Sequence, residues 1–216
     1  MLDVEAVPHL DRPARGEPAG ALVLFHGRGT SEHDMAGLFD VLDPDARWYC
    51  AAPRAPLRLP SGGFHWYVVP RVGFPDPATF RASFESLSAW LGALAERTGI
   101  PPEQTVLGGF SQGTVMAWAL ALGPGRPRPA GVLAMSGFIP TVAGFEISDD
   151  RLAGLHVAIV HGTLDPVIPI EFARSARDRA LAAGADVFHR ESPVPHTIDA
   201  RVIPDLVAWL AERASA

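Results

Sequence analysis

Short, almost wholly apolar runs recur along this chain, and longer helix-patterned stretches separate them. The runs Ala21–His26 (ALVLFH), Trp48–Ala52, Thr105–Phe110, Gly131–Ser136, His156–His161 and Ala185–Arg190 are five or six residues long. Most show no alternation of polar and apolar positions, so they read as strands covered on both faces. Helical spacing predicts Ser31–Leu42 with Ser31 as its cap, Pro77–Arg97, Gln112–Leu122, Ile170–Ala183 stopped by Gly184, and a last helix running to about Arg213 with Pro204 near its first turn. Residues 10–20 read as a polar, turn-rich lead-in. Strands alternating with helices demand right-handed crossovers, giving a mostly parallel twisted sheet with helices on both faces. No repeat and no linker interrupts the pattern, so residues 1–216 are expected to form one α/β domain.

Composition narrows the function classes. The net charge of −6 is dispersed, which offers nothing to a nucleic-acid backbone. Cys50 is the single cysteine, so no internal disulfide can form, and it is expected to be a buried thiol in a reducing compartment. The first residues lack a basic segment followed by an apolar one, and no apolar run is long enough to span a bilayer. A cytoplasmic location without a transmembrane segment is the expectation. Among eight histidines there is no H-E-x-x-H pair, no cysteine pair exists for zinc, and no phosphate-binding loop is present. No metal and no cofactor are expected.

The stretch LGGFSQGTVMAWAL places Ser111 between a strand and a helix, within Gly109-Phe110-Ser111-Gln112-Gly113. That pattern alone is weak evidence; its context gives it weight. In a parallel sheet, ligands bind beyond the carboxyl ends of the strands, where Ser111 would sit. A serine on so sharp a turn needs minimal residues two positions away on either side, here Gly109 and Gly113. Gly108 and Ala117 are expected to let the helix approach the sheet.

A hydroxyl nucleophile needs a base, and the base an orienting acid, in the chain order serine, acid, histidine. HGTLDPVIP places Asp165 just after one strand, and SPVPHTID places His196 just after the next. His161 belongs to a strand end, His189 lies mid-strand, Asp199 leads into the final helix and Glu191 falls too close before the histidine. Ser111, His196 and Asp165 are therefore the expected catalytic residues. The oxyanion donors are expected to be the backbone N–H of Gln112 and, from the VLFHGRGT turn with Gly27 and Gly29, the N–H of Arg28. His26, at that strand end, reads as structural. Two long loops, 53–75 and 137–154, are candidates to arch over the site.

With these residues in place, the chain resembles the carboxylesterase/phospholipase branch of the α/β-hydrolases, which includes acyl-protein thioesterases and small bacterial esterases. The resemblance rests on HGRG (26–29), GFSQG (109–113), SGFIP (136–140), HGTLDPVIP (161–169) and PHTID (195–199), which appear in the family's order. It implies the α/β-hydrolase fold without a large cap domain and the same triad and donors. It also implies that Trp66 lines an acyl pocket; from the residues alone, pocket wall and core remain equal alternatives for it. Phe138, Ile139 and Val167 are further pocket residues on this reading, and relatives often pair as homodimers. One departure is Pro195, where many relatives have glycine before the histidine.

The expected activity is that of a carboxylesterase-type serine hydrolase, cleaving small-molecule esters of short to medium acyl chains through an acyl-enzyme. The same triad would serve thioesters and lysophospholipids. A dienelactone-hydrolase-like enzyme is a weaker alternative, because position 111 holds serine where those enzymes carry cysteine. A non-catalytic binding module on the same scaffold would lack a triad member, and none is missing.

Overall fold

The computed structural model describes residues 7–213. Its strands are β1 (His9–Arg12), β2 (Ala21–Phe25), β3 (Tyr49–Pro53), β4 (Leu57–Arg58), β5 (Phe64–His65), β6 (Thr105–Phe110), β7 (Gly131–Met135), β8 (His156–Gly162) and β9 (Asp186–Ser192). Its α-helices are α1 (Glu32–Ala36), α2 (Phe39–Leu42), α3 (Pro77–Thr98), α4 (Gln112–Leu122), α5 (Glu171–Ala182) and α6 (Ile203–Arg213). Seven strands form one sheet in the order β1-β3-β2-β6-β7-β8-β9, and only the β1–β3 pairing is antiparallel. Strand order reverses between β2 and β6, which creates a crevice at their carboxyl ends.

The apolar runs lack alternation because both sheet faces are buried. Successive side chains point to opposite faces. Val23, Phe25, Leu107, Val132, Ala134, Val157 and Ile159 pack with residues of α3, α4 and α5. Their neighbours Leu22, Leu24, Val106, Leu133, Met135, Ala158 and Val160 pack with α1, α2 and α6. The longest helix, α3, follows its sequence signals closely. Asp76 caps it by accepting from the Thr79 N–H at 2.9 Å, Pro77 opens it, and Gly99 closes it at φ 71°.

Three expectations are corrected. The lead-in segment contains β1, whose polar sequence HLDR suits an edge strand that pairs on one side only. The 53–75 loop contains the short β4–β5 ribbon. The predicted helix Ser31–Leu42 is two short helices separated at Gly37–Leu38. Glycine is a poor helix former, and the break lets Met35, Phe39 and Leu42 all reach the sheet. Cys50 is buried as expected, and burial pushes its thiol up to about 12. No helix among the described residues is long and apolar enough to cross a membrane.

Candidate active site

The turn that carries Ser111 is set by backbone contacts that only glycine permits. Ser111 has φ 56° and ψ −119°, a region that a residue with a side chain occupies at a cost. A Cβ at Gly113 would lie 1.8 Å from the Phe25 carbonyl oxygen, and one at Gly109 would lie 2.4 Å from the Gly113 carbonyl carbon. Gly109, not Gly108, therefore admits the amino end of α4 to the sheet. A Cβ at Gly108 would point to the opposite face, 2.9 Å from Leu24 Cδ2 and 3.0 Å from Leu133 Cβ. That corrects the expectation for Gly108 by the alternation rule alone.

Ser111 is buried at the start of α4, facing the β2–α1 turn that carries Arg28. Among the described residues, no hydrogen bond uses the backbone N–H of Arg28 or of Gln112. Beside them His26 is fully buried. With a proton on Nδ1 it donates to the Gly27 carbonyl at 2.8 Å, while its Nε2 accepts from the Ala55 N–H at 3.0 Å. Burial pushes this imidazole below its ordinary range, so it stays neutral and fastens the Gly27 turn to the start of the 53–75 loop.

The same loop is fastened again at Trp66 and Tyr67. The Gln112 side-chain oxygen accepts from the Trp66 N–H at 3.0 Å, and its amide donates to the Tyr67 carbonyl at 2.9 Å. Trp66 Nε1 donates to the His26 carbonyl at 2.8 Å, and Ser83 Oγ donates to the Trp66 carbonyl. Trp66 is 1% exposed and packs edge-on against Phe25 and at a tilt against His26. Trp66 thus lies in the core beneath the site and not on its wall, because its indole is enclosed and its N–H is already committed. The wall position belongs to its neighbour Tyr67.

Asp165 and His196 meet at the ends of β8 and β9. With Nδ1 protonated, His196 donates to Asp165 Oδ2 at 2.6 Å. Asp165 Oδ1 accepts from the N–H groups of Val167 and Ile168, each at 2.8 Å. Burial alone would raise the Asp165 carboxyl. The Ile168 and Val167 amides and the His196 ring outweigh it and hold the carboxyl below its ordinary value. His161 Nε2 lies 3.3 Å from the same Oδ2 and donates to the Ile168 carbonyl at 2.8 Å. His161 therefore supports the turn that carries Asp165. The two loops are joined by Thr163 N–H to the Ser192 carbonyl (2.7 Å) and Leu164 N–H to the Val194 carbonyl (3.2 Å). A Cβ at Gly162 would fall 2.4 Å from the Pro195 carbonyl oxygen, so glycine at 162 is what seats the loop bearing Pro195.

His196 also packs on Phe110, with ring centroids 4.8 Å apart. Phe110 directly precedes Ser111, so the imidazole rests against the turn that carries Ser111. Among the described residues, no hydrogen bond joins the Ser111 hydroxyl to His196. Reading the sequence missed Phe110 and the Gln112 side chain. Both stand inside the GFSQG motif, where the two variable positions were the available signal.

Ser111 opens on a cleft of about 360 Å³. Phe138 and Val167 line it, together with Tyr67, Val69, Val72 and Ile168. Ile139 does not. It is half-buried and packs against the hydrophobic core. Arg28 and Arg71 complete the charged part of the lining. Glu191 is paired with Arg174 at 2.7 and 2.9 Å, and Asp199 caps the turn before α6, so neither competes for His196.

Comparison with known proteins agrees with this architecture. Residues 12–212 match the Phospholipase/Carboxylesterase family. Acyl-protein thioesterase 1 of Candida albicans is 27% identical over 92% of this chain and 94% of its own length. The crystal structure of esterase PE8 is 27% identical, covers 95% of this chain and 98% of its own, and superposes with a TM-score of 0.79. The Bacillus cereus carboxylesterase shares the fold at 19% identity, with a TM-score of 0.82 over 96% of this chain and 94% of its own. With the match spanning nearly all of its length, the chain belongs to the phospholipase/carboxylesterase family of α/β-hydrolases and is an esterase-type hydrolase.

Proposed function

We propose that this protein hydrolyses carboxylic esters of short to medium acyl chains through an acyl-enzyme on Ser111. The observation that carries the reading is the Asp165–His196 hydrogen bond, with the same imidazole resting on the residue before Ser111. Ser111 Oγ attacks the ester carbonyl carbon while His196 Nε2 takes the hydroxyl proton. The oxyanion accepts hydrogen bonds from the Arg28 and Gln112 amides, whose N–H groups are otherwise unengaged. Collapse of the tetrahedral adduct breaks the ester C–O bond, and His196 returns the proton to the departing alcohol. Water, deprotonated by the same ring, attacks the acyl-enzyme; the bond to Ser111 Oγ breaks to release the acid, and the ring returns the proton to Oγ. Asp165, held ionised by its amide donors, fixes the tautomer and stabilises the imidazolium. The Ser111–His196 hydrogen bond this requires is the kind of contact that tightens when substrate binds.

The cleft volume supports the choice of acyl chain. At about 360 Å³ it stands near the lower end of ligand pockets, roughly 300–1,000 Å³. A thioester is the second reading, favoured by the name of the Candida albicans relative. Fluorophosphonate labelling tests the core of the proposal. The wild type should be labelled at Ser111 and Ser111→Ala should not; a wild type that stays unlabelled would refute an activated serine. Rates on p-nitrophenyl esters should then peak at short or medium chains, and a maximum at long chains would refute the size argument.

A further inference from the structure

The geometry points to a substrate that carries an anionic group, a carboxylate or a phosphate, alongside its scissile ester. This rests on the reading of the Ser111 cleft as the ester site. Arg28 and Arg71 are the only charged residues in the lining of that cleft, which is otherwise apolar apart from Tyr67, Ser111 and Gln112. Both are exposed. Among the described residues neither guanidinium is hydrogen-bonded or paired with a carboxylate, so within this cleft both are open to a ligand. The Arg71 guanidinium carbon lies over the Phe74 ring, 3.7 Å from its centroid. A contact of this kind restrains the guanidinium while leaving its N–H groups to face a ligand.

On a protein of net charge −6, the charged side chains lining this cleft are both cations. Arg28 adds position to charge. Its backbone N–H is the proposed oxyanion donor, so its side chain leaves the chain at the reacting carbonyl. An anion carried close to that carbonyl would meet a guanidinium in the bound state, and an apolar acyl portion would still have Val69, Val72 and Phe138. Charge-assisted hydrogen bonds of this type, partly exposed to water, are expected to favour the anionic ester by roughly tenfold or more.

The test compares kcat/KM within two matched pairs. One places a carboxylate on the acyl side, 1-naphthyl hydrogen glutarate against 1-naphthyl valerate, each corrected for spontaneous hydrolysis. The other places a phosphate on the alcohol side, monobutyryl glycerol 3-phosphate against monobutyrin. A preference of about tenfold for the anionic member of either pair, falling toward unity in Arg71→Gln and largely kept in Arg71→Lys, supports the inference. The pair that shows it identifies the side on which the anion lies. The preference should also shrink as salt is raised from about 0.01 to 1 M, while the neutral ester is unaffected. Neutral esters turned over with no anionic preference, or with one that Arg71→Gln leaves unchanged, would overturn the inference and leave the esterase reading intact. No turnover of any of the four would overturn both.

Discussion

Ser111 stands on a turn boxed in by backbone on every side, whereas His196 stands on a loop that two hydrogen bonds tie to its neighbour. The first half of the site lies at the centre of the sheet, where Gly113 touches the Phe25 carbonyl and His26, Trp66 and Gln112 form a buried, neutral hydrogen-bonded brace. The second half lies toward the sheet edge, where β9 is only partly buried and an ionised carboxylate organises the turn. Shape, fixed by excluded volume, holds Ser111, the proposed nucleophile. Charge, fixed by amide donors, holds His196, the proposed base. The two halves should therefore fail in different ways when challenged.

The largest difference should appear in turnover. Ser111→Ala is expected to lower kcat roughly 10⁴- to 10⁶-fold, and Asp165→Asn by about 10⁴-fold, because the asparagine leaves the ring in place but misassigns its tautomer. Equal and small losses from both would break the proposed division of labour. Stability should reverse the emphasis. Trp66→Ala removes an enclosed indole and should cost about 3–5 kcal/mol in denaturant unfolding. Phe110→Ala, at a half-exposed ring, should cost about 1–2 kcal/mol.

Acid should separate the halves further. The unfolded His26 takes up a proton below its ordinary value of 6.5, but the buried ring resists it. The unfolded state then binds more protons, so stability declines as pH falls below about 6.5. His189, also depressed by burial, adds to this limb. The Asp165 carboxylate contributes stability above its unfolded value of 3.8, and that is lost only as pH falls through and below it. Unfolding midpoints against pH should show a first decline near 6.5 that His26→Gln reduces, and a second near 4 that it leaves alone. An unchanged first limb in His26→Gln would remove the brace from the comparison. The smallest effect is expected at Val167, 48% exposed on the cleft wall. Val167→Asn should shift stability by no more than about 0.5 kcal/mol while raising KM for apolar acyl esters.

The alternation of apolar runs and helical patterns was enough to determine a parallel sheet buried on both faces, since six strands and the long helices follow from periodicity that water itself enforces. The same local order placed Ser111, Asp165 and His196 just beyond the carboxyl ends of β6, β8 and β9, so their shared sheet edge was legible in the sequence. The polar edge strand β1 was not, because its pairing partner, β3, is distant in sequence and nothing in HLDR favours extension. Nor was the fate of Trp66. An indole after a glycine-rich loop suits a wall and a core equally, and only the fold brought His26, Ser83 and Gln112 around it to satisfy its backbone and enclose its ring. The stacking of Phe110 on His196 and the open guanidinium groups of Arg28 and Arg71 likewise depend on which loops share a cleft. Periodicity is written within each segment, but enclosure and unmet charge arise between segments, and only the tertiary structure decides them.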